Sequence, residues 1–531
     1  MTHLAVVIMV HNLDQALAAS ARAAEQGADL VEFRIDRFTD DRDAVRQLVE
    51  QASLPCILTC RPNWEGGYYD GDDQSRISLL EYVGLGVCQP TYMDVELATY
   101  QRSANLRQKI GLVVDHPNQL RPTRTGLILS SHDFDGRPID LHQRIEAMTA
   151  AVACRVIKVV WMARSLRDNL EAFEILTQHH KPTIALCMGE AGLASRVLAK
   201  KFGALLTFAS LESDSGTAAG QITVKQLKSL YRWDVLDGET RVYGVIGHPV
   251  SHSKGPAIHN GGFDTTGHNG VYLPMPIAPG YEPFKATVSS WLAMAALHFH
   301  GASVTLPHKQ NLLRFVRESG GEVEPLAERI GAANTLTVRE DGATYASNTD
   351  YAAALEAVCA TLDCDRDDLK GQHVAVIGAG GVARAVVAGF AQHGANITIY
   401  NRTPENAAAL AASLEDIPGK VTTARLEDLR NARCQIYINC TPLGMHPHSD
   451  ASPINGNKPT NGWGPGTIVF DTIYNPVHTR LLRQARDDGC VTISGIEMFV
   501  RQAAAQFRQW TQQDAPLDVF RRIMATTDNT D

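Results

Sequence analysis

The apolar positions of this chain follow two periods, and the switching between them lays out an architecture before any chemistry is considered. Between residues 4 and 208, short β-branched runs alternate with helical stretches: "LAVVIMV", "LVEFRI", "PCILTC", "TYMDVEL", "GLILSS", "RVIKVVW", "PTIALC" and "ALLTFA". Short apolar runs bounded by turn residues read as buried strands, and eight of them with helices between predict a (β/α)8 barrel. A ninth run, "KIGLVV" at 109–114, spoils the count and is either an extra element or a helix end.

Residues 231–241, "YRWDVLDGETR", are polar and turn-prone and predict a domain boundary. A new α/β block opens at "VYGVIGHPV" and changes character near Asp350, where "NTDYAAALEAVCATL" reads as a long helix. Residues 373–402 then give strand, glycine turn, helix and strand, which is one dinucleotide-binding unit of a Rossmann-like domain. The stretch from Gly495, "GIEMFVRQAAAQFRQWTQ", has a helical pattern and is expected to pack back on the block before Asp350. The expected division is 1–230 for the barrel, 241–349 plus 495–531 for a second α/β domain, and 350–494 for the Rossmann-like domain.

Composition narrows the function classes. A chain of 531 residues is too long for one core, and 44% hydrophobic with 20% charged residues is ordinary for globular proteins. The balance of 49 basic and 58 acidic residues is −9, without a basic block to follow a phosphate backbone, so nucleic acid is not an expected partner. The cysteines are scattered, with Cys56/Cys60 and Cys359/Cys364 the closest pairs and no CxxC, as expected of reduced thiols in a cytoplasmic protein. No apolar run approaches the ~18 residues of a membrane span, and the chain enters a strand by Leu4 without a basic leader. The pairs His298/His300 and His446/His448 lack further ligand spacing, so no metal is expected. Oligomeric state stays open.

In barrels of this kind the C-terminal strand ends carry the chemistry. Here they are rich in polar residues: Glu32, Arg34 and Asp36 after the second run, Arg61 and Glu65 after the third, and His132 just past the fifth. Lys158 lies within the sixth, and Arg196 in the loop or helix start after the seventh. A buried lysine is either a neutral nucleophile, its ammonium disfavoured by desolvation and neighbouring Arg34, Arg61 and Arg196, or one half of an ion pair with Glu32 or Asp94. The convergence of one lysine, one histidine and several arginines on one rim favours the nucleophile.

The stretch from about Leu4 to Gln221 resembles type I 3-dehydroquinate dehydratases, through "EFRID", "TCRPNWEGG", "SSHDF", the strand lysine, "GLASR" and "GQ". The resemblance implies that Lys158 forms an imine with the ketone of 3-dehydroquinate. It implies that His132, held by Glu65, removes the alpha proton and then protonates the departing hydroxyl. It also assigns Glu32, Arg34, Arg61, Arg196, Thr217 and Gln221 to substrate binding, with Thr217 where serine is usual.

In the back half, "VIGAGGVARAV" presents Gly378, Ala379, Gly380, Gly381, Val382 and Ala383 directly after a strand and at the opening of a helix, the context that makes the glycine pattern informative. The second strand of the unit ends in Asn401, Arg402 and Thr403 instead of an acid, which suits the 2′-phosphate of NADP. From Val242 onward the chain resembles shikimate dehydrogenases, through "GHPVSHSKGPAIHN", "GASVTLPHK", "GAANTL", "NTD", "GAGGVAR", "NRT", "INCTPLGM", "IYNP" and "EMFVRQA". That resemblance implies a catalytic pair, Lys309 and Asp350, with Thr305 and Asn334 on the ring hydroxyls and Ser253 on the carboxylate. Tyr474 and Gln502 are assigned to the substrate edge, and Thr441 and Met498 to the cofactor. Gly255 replaces the second serine usual in that motif, leaving Ser251 as a substitute. The vacated volume suggests secondary activity on quinate.

The expectation is therefore one chain with two consecutive activities, dehydrating 3-dehydroquinate and reducing 3-dehydroshikimate to shikimate with NADPH. The competing reading is a non-catalytic sensor of the same metabolites, which would be free to lose Lys158, His132, Lys309 or Asp350; all four are present.

Overall fold

The computed structural model describes residues 2–117, 119, 123–178, 181–212, 221–460 and 463–526. The chain separates into two compact units, residues 1–240 with 296–298, and the remainder from 241 to 531.

The first unit is built on eight parallel strands: β1 (His3–Met9), β2 (Leu30–Arg34), β3 (Cys56–Thr59), β4 (Tyr92–Glu96), β5 (Gly126–Asp133), β6 (Cys154–Met162), β7 (Thr183–Met188) and β8 (Leu206–Ala209). Their order is β7-β6-β5-β4-β3-β2-β1-β8, and the ring is completed where Leu205 N donates to Thr183 O at 2.9 Å. The lumen is closed by branched and aromatic side chains, among them Val7, Ile57, Ile128, Val156, Val160, Ile184 and Phe208. Side chains two apart along a strand share a face, so Lys158, between Val156 and Val160, projects into that same interior. The ambiguous run at 109–114 is a helix end: the helix Ala104–Gly111 stops there, and Val113 and Val114 are buried beyond it without adding a strand. The segment 231–241 is less polar in effect than in composition, because Tyr231, Trp233 and Leu236 are buried.

The second unit holds two six-stranded sheets. One contains β9 (Arg241–Gly247), β10 (Gly270–Pro276), β11 (Phe299–Val304), β12 (Glu322–Val323), β13 (Thr335–Val338) and β14 (Thr344–Ser347), in the order β10-β9-β11-β13-β14-β12. The helix Gly495–Thr511 returns to it and buries Val500, Ala503, Ala504, Phe507 and Trp510 against Tyr243, Ile258 and Tyr272. Each large apolar side chain so buried contributes about 1.5–3 kcal/mol. Gly301 makes this approach possible, since a Cβ there would stand 2.4 Å from the Trp510 indole nitrogen, which donates to Leu336 O at 3.0 Å.

The other sheet contains β15 (His373–Ile377), β16 (Asn396–Asn401), β17 (Val421–Arg425), β18 (Ile436–Asn439), β19 (Ile468–Asp471) and β20 (Val491–Ile493). All are parallel in the order β17-β16-β15-β18-β19-β20, the doubly wound arrangement whose ligand crevice opens at the carboxyl ends of the two central strands.

Candidate functional site

Two clusters of titratable groups are assembled, one in each unit. In the barrel, β6 carries Lys158 into the lumen, where its ammonium donates to Asp94 Oδ2 at 2.8 Å, lies 3.6 Å from Glu32, and sits 4.6 Å above the Phe208 ring. The ion pair considered as the competing reading is thus present. Its surroundings also correct the expectation of a positively charged pocket around Lys158. Arg34 is turned to Asp36, at 2.6 and 3.1 Å, and Arg61 is spent on Asp94 at 2.8 Å, Glu96 at 2.6 Å and Ser130 at 2.7 Å. Burial pushes the Asp94 carboxyl up, but Arg61 and Lys158 overcome it and hold the group well below the usual carboxylate range.

His132 lies within the end of β5, not beyond it, with its Nδ1 2.9 Å from Glu65 Oε1; Glu65 ends a short 3-10 turn, Asn63–Glu65. The same oxygen accepts the His132 main-chain N–H at 2.9 Å. Burial, then the charges of Arg61 and Lys158, push the imidazole well below its ordinary value, while burial pushes Glu65 up to about 8 against the pull of Arg61. The imidazole is therefore neutral, with Nδ1 committed to Glu65 and Nε2 left to act as a base.

Arg196, on the helix Leu193–Val197, contrasts with Arg61. It is 3% exposed, its Nε has no hydrogen-bond partner, and it makes no ion pair among the described residues. Burial alone pushes it down, to about 10. A buried guanidinium without an acid carries a charge that nothing among the described residues compensates. Gln221 follows β8 and is half-buried, whereas Thr217 lies outside the described residues.

In the second unit, Lys309 opens the helix Lys309–Glu318 and Asp350 lies in the first turn of the helix Thr349–Leu362. Lys309 Nζ donates to Asp350 Oδ2 at 2.6 Å. A cation in a first turn opposes the helix dipole, so the lysine depends on this carboxylate; the aspartate is favoured at its own helix end, which Asn348 caps by accepting from Asp350 N at 3.0 Å. Asn334, fully buried, donates to Asp350 Oδ1 at 2.8 Å, and its carbonyl oxygen accepts from Thr335 Oγ1 and from Thr349 N and Oγ1. One amide N–H of Asn334 thus orients the carboxylate. Thr305 follows β11 and packs where Gly247 has no side chain, since a Cβ there would stand 2.4 Å from Thr305 Cγ2. Gln502 is half-buried on the returning helix and Tyr474 is 37% exposed after β19.

Ser253 Oγ accepts from Gly255 N at 3.1 Å. The room expected beside Gly255 is not empty: a Cβ there would stand 3.0 Å from Tyr272 Cε1 and 3.2 Å from both Tyr272 Oη and Ser253 Oγ.

For the dinucleotide, Gly378 adopts φ +110, and a Cβ would meet Cys440 and Thr441 at 3.1–3.2 Å, so β15 and β18 close together at the switch point. Nothing lies within 4 Å of a Cβ built on Gly380 or Gly381, so the helix Gly381–Gln392 begins at open backbone that a pyrophosphate fits. Ala383 is buried in the sheet's core, with Ala379 and Val382 packed against it. Thr441 donates through Oγ1 to Asn439 at 2.7 Å, and Asn401 Nδ2 donates to Thr403 O at 2.8 Å, leaving Arg402 exposed at the strand end. Met498 is 5% exposed within the apolar cluster, a packing position more than a cofactor contact. Gln506, which no motif marked, is 1% exposed and hydrogen-bonded on both sides of its amide.

Four families match the chain in succession: Type I 3-dehydroquinase over residues 4–237, the shikimate dehydrogenase substrate binding domain over 245–336, shikimate / quinate 5-dehydrogenase over 361–442, and the shikimate 5'-dehydrogenase C-terminal domain over 495–524. The chain is similar to the chloroplastic bifunctional 3-dehydroquinate dehydratase/shikimate dehydrogenase of Arabidopsis thaliana, 35% identical over 535 residues, 98% of this chain and 83% of that protein. Its back half is similar to shikimate dehydrogenase (NADP(+)) of Methanosarcina mazei, 38% identical over 290 residues, 54% of this chain and 97% of that one. Among solved structures, dehydroquinate dehydratase and shikimate dehydrogenase from S. pombe AroM matches 99% of this chain and 98% of that one, at 26% identity and a TM-score of 0.44. With a relative 35% identical over 98% of this chain and 83% of its own length, the chain belongs to the family of bifunctional 3-dehydroquinate dehydratases/shikimate dehydrogenases.

Proposed function

We infer that the chain performs two consecutive steps of the shikimate pathway, dehydrating 3-dehydroquinate in the barrel and reducing the resulting 3-dehydroshikimate in the second unit with NADPH. The observation that carries this reading is that one chain matched over both families holds both reacting groups already paired, His132 on Glu65 and Lys309 on Asp350.

In the barrel, Arg196 receives the substrate carboxylate. The Lys158 ammonium gives a proton to solvent, the free amine adds through Nζ to the ketone, and the carbinolamine so formed loses the ketone oxygen as water to give the imine. His132 Nε2 removes the alpha proton; the electrons run into the imine, return to expel the beta hydroxyl, and His132 hands that hydroxyl its proton. Hydrolysis frees Lys158. Arg61 acts differently from Arg196: tied to Asp94 and Glu96, it fixes the carboxylate that holds Lys158. Glu32 and Arg34 line the same rim, and Thr217 and Gln221 are assigned to substrate binding by the family resemblance alone.

In the second unit, Ser253 binds the carboxylate, Thr305, Asn334, Tyr474 and Gln502 bind the ring, and Lys309 gives the proton that the new alkoxide needs. NADPH supplies the hydride when bound, at the backbone of residues 378–383 and beside Arg402 and Thr441. Domain limits of 1–230, 241–349 plus 495–531, and 350–494 belong to the same proposal, as does a cytoplasmic location with small-molecule partners alone. Among the described residues no helix is long and apolar enough to cross a membrane. Nothing in the geometry or the relatives favours a sensor.

The test follows 3-dehydroquinate with NADPH by enone absorbance and cofactor oxidation. Lys158→Met is expected to abolish the first signal and spare reduction of added dehydroshikimate, and Lys309→Met the reverse. Loss of both activities in either folded variant overturns the assignment to separate sites.

A further inference from the structure

The catalytic pair of the second unit stands at the end of a buried series of hydrogen bonds that all point one way. Tyr272 Oη donates to Ser303 Oγ at 2.7 Å, and Ser303 Oγ to Gln506 Oε1 at 2.8 Å. Gln506 Nε2 donates to Thr335 Oγ1 at 3.0 Å, Thr335 Oγ1 to Asn334 Oδ1 at 2.8 Å, and Asn334 Nδ2 to Asp350 Oδ1 at 2.8 Å. Asp350 in turn accepts from Lys309 at 2.6 Å. Tyr272, Ser303, Gln506, Thr335 and Asn334 are all at most 9% exposed, so water does not compete for these groups. The series begins beside Ser253 and Gly255, with Tyr272 Oη 3.2 Å from a Cβ built at residue 255.

Direction is the informative feature. A hydroxyl that accepts from one neighbour donates more strongly to the next, so aligned bonds reinforce one another in a low-dielectric interior. Gln506 spans the gap between Ser303 and Thr335 because its amide carries an acceptor and a donor on one rigid plane. Reversed, its carbonyl would face Thr335 Oγ1, whose one hydrogen already goes to Asn334, and two lone pairs would oppose each other.

We propose that Gln506 is a positioning residue for the reductase: by fixing the donor direction of Thr335 and Asn334, it holds the Asp350 carboxylate where it orients Lys309. This rests on the reading of Lys309 and Asp350 as the reacting pair. It predicts a loss in turnover and not in substrate affinity, because Gln506 is 1% exposed and both ends of its amide are taken by Ser303 and Thr335.

The experiment measures kcat and KM for shikimate oxidation in the full chain for Gln506→Met, Thr335→Val and Thr335→Ser, with Asp350→Asn alongside and thermal melting together with 2′,5′-ADP binding as the check that the second unit is folded. Gln506→Met and Thr335→Val are expected to lower kcat about tenfold with KM within twofold, and Thr335→Ser, which keeps the hydroxyl, to recover most of the kcat lost in Thr335→Val. Unchanged kcat in a folded Gln506→Met, or a serine variant as impaired as the valine one, overturns the proposal. Full activity in Asp350→Asn overturns instead the reading on which it rests.

Discussion

Glu65 holds His132 twice through a single oxygen, accepting from its main-chain N–H and from its Nδ1, each at 2.9 Å. This fixes both the strand end and the ring, so the imidazole presents Nε2 in one tautomer. The cost is a buried carboxyl whose pKa burial raises to about 8. An acid raised in the folded state binds more protons folded than unfolded between its two values. Its contribution favours the fold fully below the unfolded value of 4.5 and is lost as pH rises through about 8. Glu65→Gln removes that dependence while His132 remains in both proteins. The melting temperature of the variant relative to the parent is therefore expected to climb between about pH 5 and 9; thermal melts across that range check it, and a flat difference refutes it. Dehydration by the variant is expected to fall, because a neutral amide oxygen accepts from Nδ1–H more weakly than a carboxylate does and cannot balance the charge that forms on the imidazole.

Arg61 and Arg196 look equivalent as sequence and behave oppositely in the structure. Removing Arg61 leaves Asp94 on Lys158 and Glu96 on Arg76 with one buried cation fewer between them, so Arg61→Ala is expected to lower stability. Arg196 has no acid to strand, and Arg196→Met is expected to leave the melting temperature unchanged or raised while KM for 3-dehydroquinate rises at least tenfold. Equal destabilisation of the two variants in chemical unfolding would contradict this division of labour.

That contrast marks where the sequence stops being legible. The strand ends are readable because a period of two assigns each residue a face, which puts Lys158 in the lumen and His132 at the rim. Which acid an arginine meets depends on the register between strands, and a run of one-letter codes carries no register. Asp94 reaches Lys158 and Arg61 from β4, two strands away from β6. Gln506 carried no signal, since a glutamine among helical polar residues reads as solvent-facing until the helix Gly495–Thr511 is laid on its sheet. The run at 109–114 left an extra element and a helix end both open, because its apolar residues are too few to show either period, and the structure has the helix end.

Arg402 is exposed at the end of β16, with Asn401 beside it bonded to Thr403 O. No acid occupies the place where a ribose hydroxyl is usually bound, and Asn406 offers no second charge. Arg402→Ala is expected to weaken binding of 2′,5′-ADP by about 1–3 kcal/mol and to leave 5′-ADP unaffected, measured by calorimetry, with the NADPH preference in kcat/KM falling in step. Equal binding of the two nucleotides by the parent protein would remove Arg402 from the 2′-phosphate site.

Gly255 is the position at which the structure most changes the expected outcome. Its missing side chain suggested space for the extra hydroxyl of quinate, yet Tyr272 and Ser253 already crowd a Cβ at 3.0–3.2 Å. Quinate oxidation by the parent protein is accordingly expected to be secondary, well below that of shikimate. In Gly255→Ser the new side chain must move Tyr272 by a few tenths of an ångström, and Tyr272 starts the hydrogen-bond series that ends on Asp350. Two effects then compete. A hydroxyl aimed at the substrate carboxylate adds a charge-assisted bond of about 1.5–3 kcal/mol and lowers KM for shikimate, while displacement of Tyr272 lowers kcat. Quinate carries the same carboxylate, but its extra hydroxyl on that carbon meets the added bulk, so its kcat/KM is expected to fall relative to that of shikimate in the same variant. The measurement is kcat and KM for both substrates in parent and variant. A variant that leaves both parameters of both substrates unchanged would show that residue 255 touches neither the carboxylate site nor Tyr272.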